Sequence, residues 1–179
     1  TTVGTLTVGA LDAAASTATT ATTVVLTAEE SNFTATSVVL GAAQVLEITG
    51  DENVTLGNVT AATVNAGSAT GNISLTAQTA LSGTVTTGSG SDTLVASGAD
   101  VHTFVAGNGI DTITVTTTNA TSSFDGGAGD DAFTLTSVNA YAAVGGDGDD
   151  TFTTGADIES SVVGGGGSDT LTLSAAIDF

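Results

Sequence analysis

The chain has 179 residues, among them 14 Asp and 5 Glu but no Lys or Arg, for a formal net charge of −19. With no cation to pair with phosphates, nucleic-acid binding and attraction to anionic membrane surfaces are excluded. Cys is absent as well, which removes disulfides, thiolate zinc sites and cysteine nucleophiles, and no apolar run approaches the ~20 residues that span a bilayer.

The length suits one domain, or one piece of a longer array. Acidic chains with few aromatics are often disordered, but here 40% of residues are apolar and the mean hydropathy is +0.36. That is too hydrophobic for a solvated tail. The apolar residues are mainly Val, Ile, Leu and Ala, interleaved with 37 Thr, and β-branched side chains suit pleated surfaces. An all-β fold is expected. The chain opens at Thr1 without the charged n-region of a cleavable signal.

Residues 1–45 offer candidate strands at Leu6, Val8, Val24–Leu26, Phe33 and Val38–Leu40, around a low-complexity Ala/Thr stretch at Asp12–Thr23. Thr27-Ala-Glu-Glu30 resembles a capping box, which predicts a short helix near Ala28–Phe33. The region reads as an N-terminal cap or a contact segment. From Leu46 onward, short apolar clusters recur every 8 to 11 residues, and every second one falls 18 to 21 residues on, at 54, 73, 94, 113, 133, 152 and 171. A sandwich tolerates loops of varied length, whereas a constant period favours a coil with two short strands per turn. Residues 46–86 keep this period with Asn, Gly and Thr at the turns, and are expected to form metal-free β-helix coils.

Residues 87–179 carry a stronger signal. Five segments begin 19 or 20 residues apart: TGSGSDTLV from Thr87, AGNGIDTIT from Ala106, GGAGDDAFT from Gly126, GGDGDDTFT from Gly145 and GGGGSDTLT from Gly164. All fit Gly-x-Gly-x-Asp-x-apolar, and the last three add the leading Gly of the nonapeptide found in calcium-binding parallel β-helices. On these residues the chain resembles the repeats-in-toxin (RTX) family of calcium-binding β-rolls and β-helices. The resemblance implies a right-handed parallel β-helix or β-roll solenoid, about 19 residues per coil, with calcium loops along one edge.

The spacing has a physical reason of its own. Glycines allow positive φ and let backbone carbonyls converge, at Gly88 and Gly90, Gly107 and Gly109, Gly126, Gly127 and Gly129, Gly145, Gly146 and Gly148, and Gly164, Gly165 and Gly167. Asp92, Asp111, Asp131, Asp150 and Asp169 each add a carboxylate at the loop's end. Two residues later an apolar side chain (Leu94, Ile113, Phe133, Phe152, Leu171) enters the core. Loops stacked roughly 4.8 Å apart form a ladder of oxygens, which suits the six to eight oxygen ligands of calcium better than the small octahedron of magnesium. Five loops leave room for up to about four shared ions. Of the 19 acids, 13 follow Thr87, and bound cations are the available neutralisation. Residues 87–172 are therefore expected to be loose without calcium and rigid with it. The missing leading Gly at Thr87 and Ala106 marks the first two loops as the weakest sites.

Between the motifs, Gly98-Ala-Asp100, Asn119-Ala, Asn139-Ala and Gly155-Ala-Asp157 read as Asx turns, so each coil carries one calcium loop and one metal-free turn. Asn32, Asn53, Asn58, Asn72 and Asn119 begin N-x-Ser/Thr triplets, an option for glycosylation in a Thr-rich chain.

No catalytic constellation is present. Asp147-Gly-Asp149-Asp150 fails as an EF-hand because position 12 is Ile158 rather than Glu. A single His rules out H-E-x-x-H, and no Ser has Gly at both two before and two after. His102 reads as a half-exposed strand residue and Tyr141 as packing. A carboxylate bound to calcium is not a general acid.

A non-enzymatic, calcium-dependent structural role outside the bacterial cell is the leading expectation, because the composition resembles RTX-bearing surface-layer proteins. Self-association into a lattice or fibre is the expected partnership, with cell-surface polysaccharide as a further partner. The alternative is the calcium-binding module of a secreted adhesin, enzyme or toxin. The resemblance implies type I export with an uncleaved C-terminal signal. Ice binding of the RTX-adhesin kind needs a regular Thr/Asn row flanking the loop. The rows here read Ser89, Asn108, Ala128, Asp147, Gly166 and Ser91, Ile110, Asp130, Asp149, Ser168. Neither is regular, which disfavours that activity.

Overall fold

A computed structural model describes residues 4–7, 17–18, 23–41, 43–78, 83–98, 100–116, 121–137, 139–155 and 160–174. Within them the chain alternates between two sheets. The first holds β1 (Gly4–Thr7), β3 (Thr23–Ala28), β5 (Val45–Gly50), β7 (Thr63–Asn65), β9 (Thr84–Thr86), β11 (Thr103–Val105), β13 (Ser122–Ala128), β15 (Tyr141–Asp147) and β17 (Ser161–Gly166), in that spatial order. The second holds β2 (Thr17–Ala18), β4 (Phe33–Leu40), β6 (Val54–Thr60), β8 (Ile73–Gln78), β10 (Thr93–Ala96), β12 (Thr112–Val115), β14 (Ala132–Leu135), β16 (Thr151–Thr154) and β18 (Thr170–Leu173). Every pairing is parallel, each strand lying beside the one two elements on. The molecule is a β-solenoid.

The short strands follow from sequence period. Alternation along each strand turns one set of side chains inward, and in-register pairing stacks equivalents into columns. One inward column of the first sheet runs Leu46, Val64, Val85, Phe104, Phe124 and Ala143. Its counterpart in the second runs Leu56, Leu75, Leu94, Ile113, Phe133 and Phe152. All of these are buried in one continuous core. Coil stacking brings like onto like: Phe133 and Phe152 lie parallel with centroids 4.7 Å apart, while Phe104 and Phe124 meet edge to face at 5.6 Å. Both geometries are favourable for aromatic pairs.

Two local expectations change. Where a capping box predicted a helix, β3 runs through Ala28, bends over Glu29–Ser31 and resumes as β4 at Phe33. Phe33 is buried and pairs in register with Val54, and a helical turn would break both relations. His102 is fully buried rather than half-exposed. It lies just before β11, its backbone N–H donates to Ser122 Oγ at 3.1 Å, and its ring packs edge-on to Phe104. Tyr141 is buried beside Phe124, as its packing role requires. Of the Asx turns, Asn119 and Asp157 lie outside the described residues. At Asn139 it is Ser137 Oγ that accepts from the Asn139 N–H, at 3.2 Å.

A column distributes a cavity over its neighbours, so core deletions should be costly. Phe133→Ala is expected to cost about 3–5 kcal/mol, whereas Ile110→Ala, at a side chain 62% exposed, should fall within about 0.5 kcal/mol of wild type. Urea denaturation of both variants checks the contrast.

Candidate metal-binding edge

Among the described residues, the connections from the first sheet to the second lie on one edge of the solenoid, and the five Gly/Asp segments occupy that edge consecutively. Register places Asp92, Asp111, Asp131, Asp150 and Asp169 in a single column, one residue before the start of β10, β12, β14, β16 and β18. The same column begins with Phe33, Val54 and Ile73. Apolar residues in the upstream coils thus give way to carboxylates in the downstream ones, at an inward-facing position. Asp92, Asp111, Asp131 and Asp150 are at most 1% exposed. They point into the edge of the core.

Across the loop a second column runs Leu26, Ile48, Ala66, Thr87, Ala106, Gly126, Gly145 and Gly164, one position beyond pairs held in register along the first sheet. Leu26 and Ile48 face the apolar end of the Asp column, Thr87 and Ala106 face Asp92 and Asp111, and glycines face Asp131, Asp150 and Asp169. The reason is space. A Cβ on Gly126 would overlap Asp131 Oδ2 and stand 2.6 Å from the Gly145 carbonyl oxygen. One on Gly145 would likewise overlap Asp150 Oδ2 and stand 2.5 Å from the Gly164 carbonyl oxygen. The carboxylate oxygen of each loop thus occupies the place of the missing side chain, beside a carbonyl oxygen of the next loop.

The remaining glycines answer a different constraint. Gly107, Gly109, Gly127, Gly129, Gly146, Gly148, Gly165 and Gly167 have positive φ between 98° and 138°, where other residues are strained. Gly88 and Gly90 of the first loop do not, so that loop has a different backbone from the other four. Its Thr87 also fills the place of the leading glycine, donating its hydroxyl to the Ala106 carbonyl at 2.6 Å.

Hydrogen bonding separates the two oxygens of each carboxylate. Oδ1 accepts from a backbone N–H one coil back: Ile73 to Asp92 at 2.7 Å, Asp92 to Asp111 at 2.7 Å, Asp111 to Asp131 at 2.8 Å, Asp131 to Asp150 at 2.8 Å and Asp150 to Asp169 at 3.0 Å. Oδ2 of Asp92, Asp111, Asp131 and Asp150 is buried and has no hydrogen-bond partner among the described residues. Such a group is costly to keep unless something satisfies it. Burial pushes all four carboxyls above the ordinary 3.8, Asp111 to about 7 and Asp131 to about 6, with neighbouring carboxylates of the column adding to the rise in Asp111, Asp131 and Asp150.

The donor set fits a hard, oxygen-seeking cation: carboxylate oxygens without donors, lined up beside carbonyls in loops whose glycines permit close approach. Among the described residues no three acidic or histidine side chains converge on one point, so carbonyls must supply much of any coordination here. The sequence had pointed to these five Asp and their glycines. It had not pointed to an outer ladder one residue earlier, in which Asn32, Asn53 and Asn72 Oδ1 accept from the N–H of Asn53, Asn72 and Ser91. Asp130 and Asp149 continue it to Asp149 and Ser168. Those Asn are the first residues of three N-x-Ser/Thr triplets, which in hindsight recur at 32, 53 and 72 with the coil period.

Protonation gives a test. Between about pH 4 and pH 7 the folded chain holds protons on the buried column that the unfolded chain has released, so stability falls as pH rises through that window. His102 acts oppositely. Burial lowers its pKa, so its contribution is lost as pH falls below the unfolded value near 6.5. Four carboxyls outweigh one imidazole, and in EDTA the urea midpoint is expected to be higher near pH 5 than near pH 7.5. Equal midpoints would mean that the metal-free column is not compact.

Comparison with family models, with curated proteins and with solved structures finds no match to this chain.

Proposed function

We propose that the chain is a calcium-dependent structural protein of the cell exterior, an RTX-type solenoid serving as a subunit of a surface layer or cell-surface fibre. One observation carries the metal reading: in a column of buried carboxylates Asp92, Asp111, Asp131 and Asp150 each keep a partnerless Oδ2, and those of Asp131 and Asp150 lie against glycines beside carbonyl oxygens of the next loop. Asp92, Asp111, Asp131, Asp150 and Asp169 would hold the ions together with loop carbonyls such as those of Gly145 and Gly164. Calcium would supply charge neutralisation and cross-coil bridging. It would also satisfy the four orphaned oxygens, so that binding energy becomes folding energy.

The structural role rests on the RTX resemblance, the acidic and Thr-rich composition, and the lack of a catalytic constellation. Calcium abundant outside the cell and scarce within would make folding follow export by the type I route. Among the described residues β17 and β18 end their sheets, and strand edges of that kind favour association into a lattice or fibre. Sedimentation and negative-stain imaging in millimolar calcium and in EDTA test the role. Ordered sheets or fibres that vanish in EDTA are expected, whereas a calcium-compacted monomer would favour a module of a larger secreted adhesin, enzyme or toxin.

Two substitutions test the metal. Asp150→Ala should weaken calcium-dependent folding more than Asp92→Ala, because Asp150 has Asp131 and Asp169 in adjoining coils while Asp92 adjoins Ile73. Equal losses in a calcium titration followed by circular dichroism would sink that ordering. Gly145→Ala separates space from backbone strain. Gly145 has no positive φ, so its added methyl acts by displacing Asp150 Oδ2, which lies where the methyl would stand. Calcium affinity should fall about tenfold or more.

A further inference from the structure

The loop between β11 and β12 contains Asn108-Gly109, the one Asn-Gly pair in the sequence. Asn108 is exposed, and its column continues through Ala128, Asp147 and Gly166. That column therefore accepts an amide, a methyl, a carboxylate or no side chain at all. Gly109 has no such latitude. Its φ is 126°, where other residues are strained, and a Cβ there would overlap the Gly90 carbonyl oxygen. The fold thus fixes a glycine directly after an asparagine that it does not itself require.

That pair has a chemistry of its own. The backbone nitrogen of Gly109 can attack Asn108 Cγ, because no side chain at 109 obstructs the approach. The new N–Cγ bond closes a succinimide ring, the Cγ–Nδ2 bond breaks, and Nδ2 leaves as ammonia with the Gly109 amide proton. Water then opens the ring and returns a hydrogen to the nitrogen. Opening at Cγ gives aspartate, and opening at the Asn108 main-chain carbonyl carbon gives isoaspartate, whose backbone runs through Cγ. In the stacked loop the attacking group is engaged. The Gly109 N–H donates to the Ala128 carbonyl at 2.8 Å, in the coil that follows. The Asn108 N–H donates to the Gly88 carbonyl at 2.8 Å, in the coil that precedes. Ring closure consumes the first of these bonds, so it waits on local separation of the coils. We propose that Asn108 is a self-modifying site, which loses its amide while the second loop is unstacked and is protected once it stacks. The two products differ in consequence. Aspartate places at 108 the carboxylate that the column already holds at Asp147, again followed by a glycine, and stacking can resume. Isoaspartate adds a methylene to the main chain between two amides bonded to opposite coils, and both bonds cannot then be kept. A chain that stays unstacked too long is thereby barred from the solenoid. The proposal rests on the register of this loop and not on the metal reading.

The test incubates the full chain at neutral pH, folded in millimolar calcium and unfolded in urea with EDTA. Cleavage after Phe104 and Phe124 releases a peptide that carries both Asn108 and Asn119, and tandem mass spectrometry reads amide loss at each. In urea Asn108 should outpace Asn119, which precedes Ala120, and should lose its amide at least about tenfold faster than in the folded chain. Equal rates in the folded and unfolded chain, or an Asn108 that keeps its amide in urea, would overturn the proposal. A chain that stays folded in EDTA alone and keeps its amide there would support it while sinking the calcium reading. The consequence is read by ageing wild type and Asn108→Gln in urea and returning both to calcium. Wild type should lose refolding, followed by circular dichroism, as isoaspartate accumulates at 108. Asn108→Gln closes a larger ring far more slowly and should retain it. That variant keeps Asp125-Gly126 and Asp147-Gly148, which can isomerise through the same kind of ring, and so controls for them. Wild type also answers alone: isoaspartate at 108 should be confined to the fraction that fails to refold. Equal isoaspartate in the refolded and unfolded fractions would overturn the proposal.

Discussion

In-register stacking is the constraint on which everything else in this molecule depends. A parallel solenoid places each residue against its equivalents about 19 residues away, as at Thr93, Thr112 and Ala132, so any property of one loop is repeated as a column. For Leu56, Leu75 and Leu94 that repetition builds a core. For Asp111, Asp131 and Asp150 it builds a line of like charge. Two unit charges about 5 Å apart repel by roughly 3 kcal/mol at an effective dielectric of 20, and an interior carboxylate meets that cost on both sides. The upward displacement of Asp111 to about 7 and Asp131 to about 6 records the burial and the repulsion together. Without Lys or Arg anywhere in the chain, relief comes from protons or from cations that the chain does not itself supply.

The columns also show how the cost is contained. At the upstream end Leu26 and Ile48 face the positions of Phe33 and Val54, and the edge is closed by apolar packing. At the downstream end Gly126 and Gly145 face Asp131 and Asp150, and the edge is closed by oxygen. Thr87 and Ala106 stand between, too small to fill the space and too large to vacate it. The first loop is transitional in backbone as well, since Gly88 and Gly90 lack the positive φ of their later equivalents. A gradual change of this kind lets an ordinary hydrophobic solenoid support a charged one through the same ladder of backbone hydrogen bonds.

The period, the two strands per coil and the identity of the loop residues were legible in the sequence because each depends on spacing alone. The relation between Asp92 and Ile73 was not, since it depends on aligning coils that contain the loop motif with coils that lack it. Successive coils differ by several residues in length (Val45 pairs with Thr63, 18 on, and Thr63 with Thr84, 21 on), which blurs alignment by eye. His102 was misread for a related reason. A polar residue beside a strand looks solvent-facing, but the column it shares with Ser122 and Tyr141 faces inward. The predicted helix at Ala28–Phe33 lost to pairing: a local capping signal is worth about 1 kcal/mol, less than the burial of Phe33 and the ladder bonds on either side of the bend.

The direction of the side-chain bonds bears on how the coils are joined. Each Asn of the outer ladder accepts from the coil that follows it, whereas each Asp of the inner column accepts from the coil that precedes it. Where both are present the joint is stitched from both sides, as between the coils of Asn72 and Asp92, and again between those of Asp130 and Asp150. Ile110 interrupts the outer ladder, leaving the Asp111–Asp131 bond as the inner stitch at that step. Asp92 has a special place in this scheme, because its partner is the amide of Ile73 in a coil whose own edge is apolar. The first carboxylate of the column is therefore held by a coil that needs no cation, and each later one is held by the loop before it. Because contacts in a solenoid join neighbouring coils, that arrangement lets the upstream coils order the first Gly/Asp loop before the column repulsion begins. It places the growing charge further along the axis, where the leading glycines make room for the carboxylates themselves.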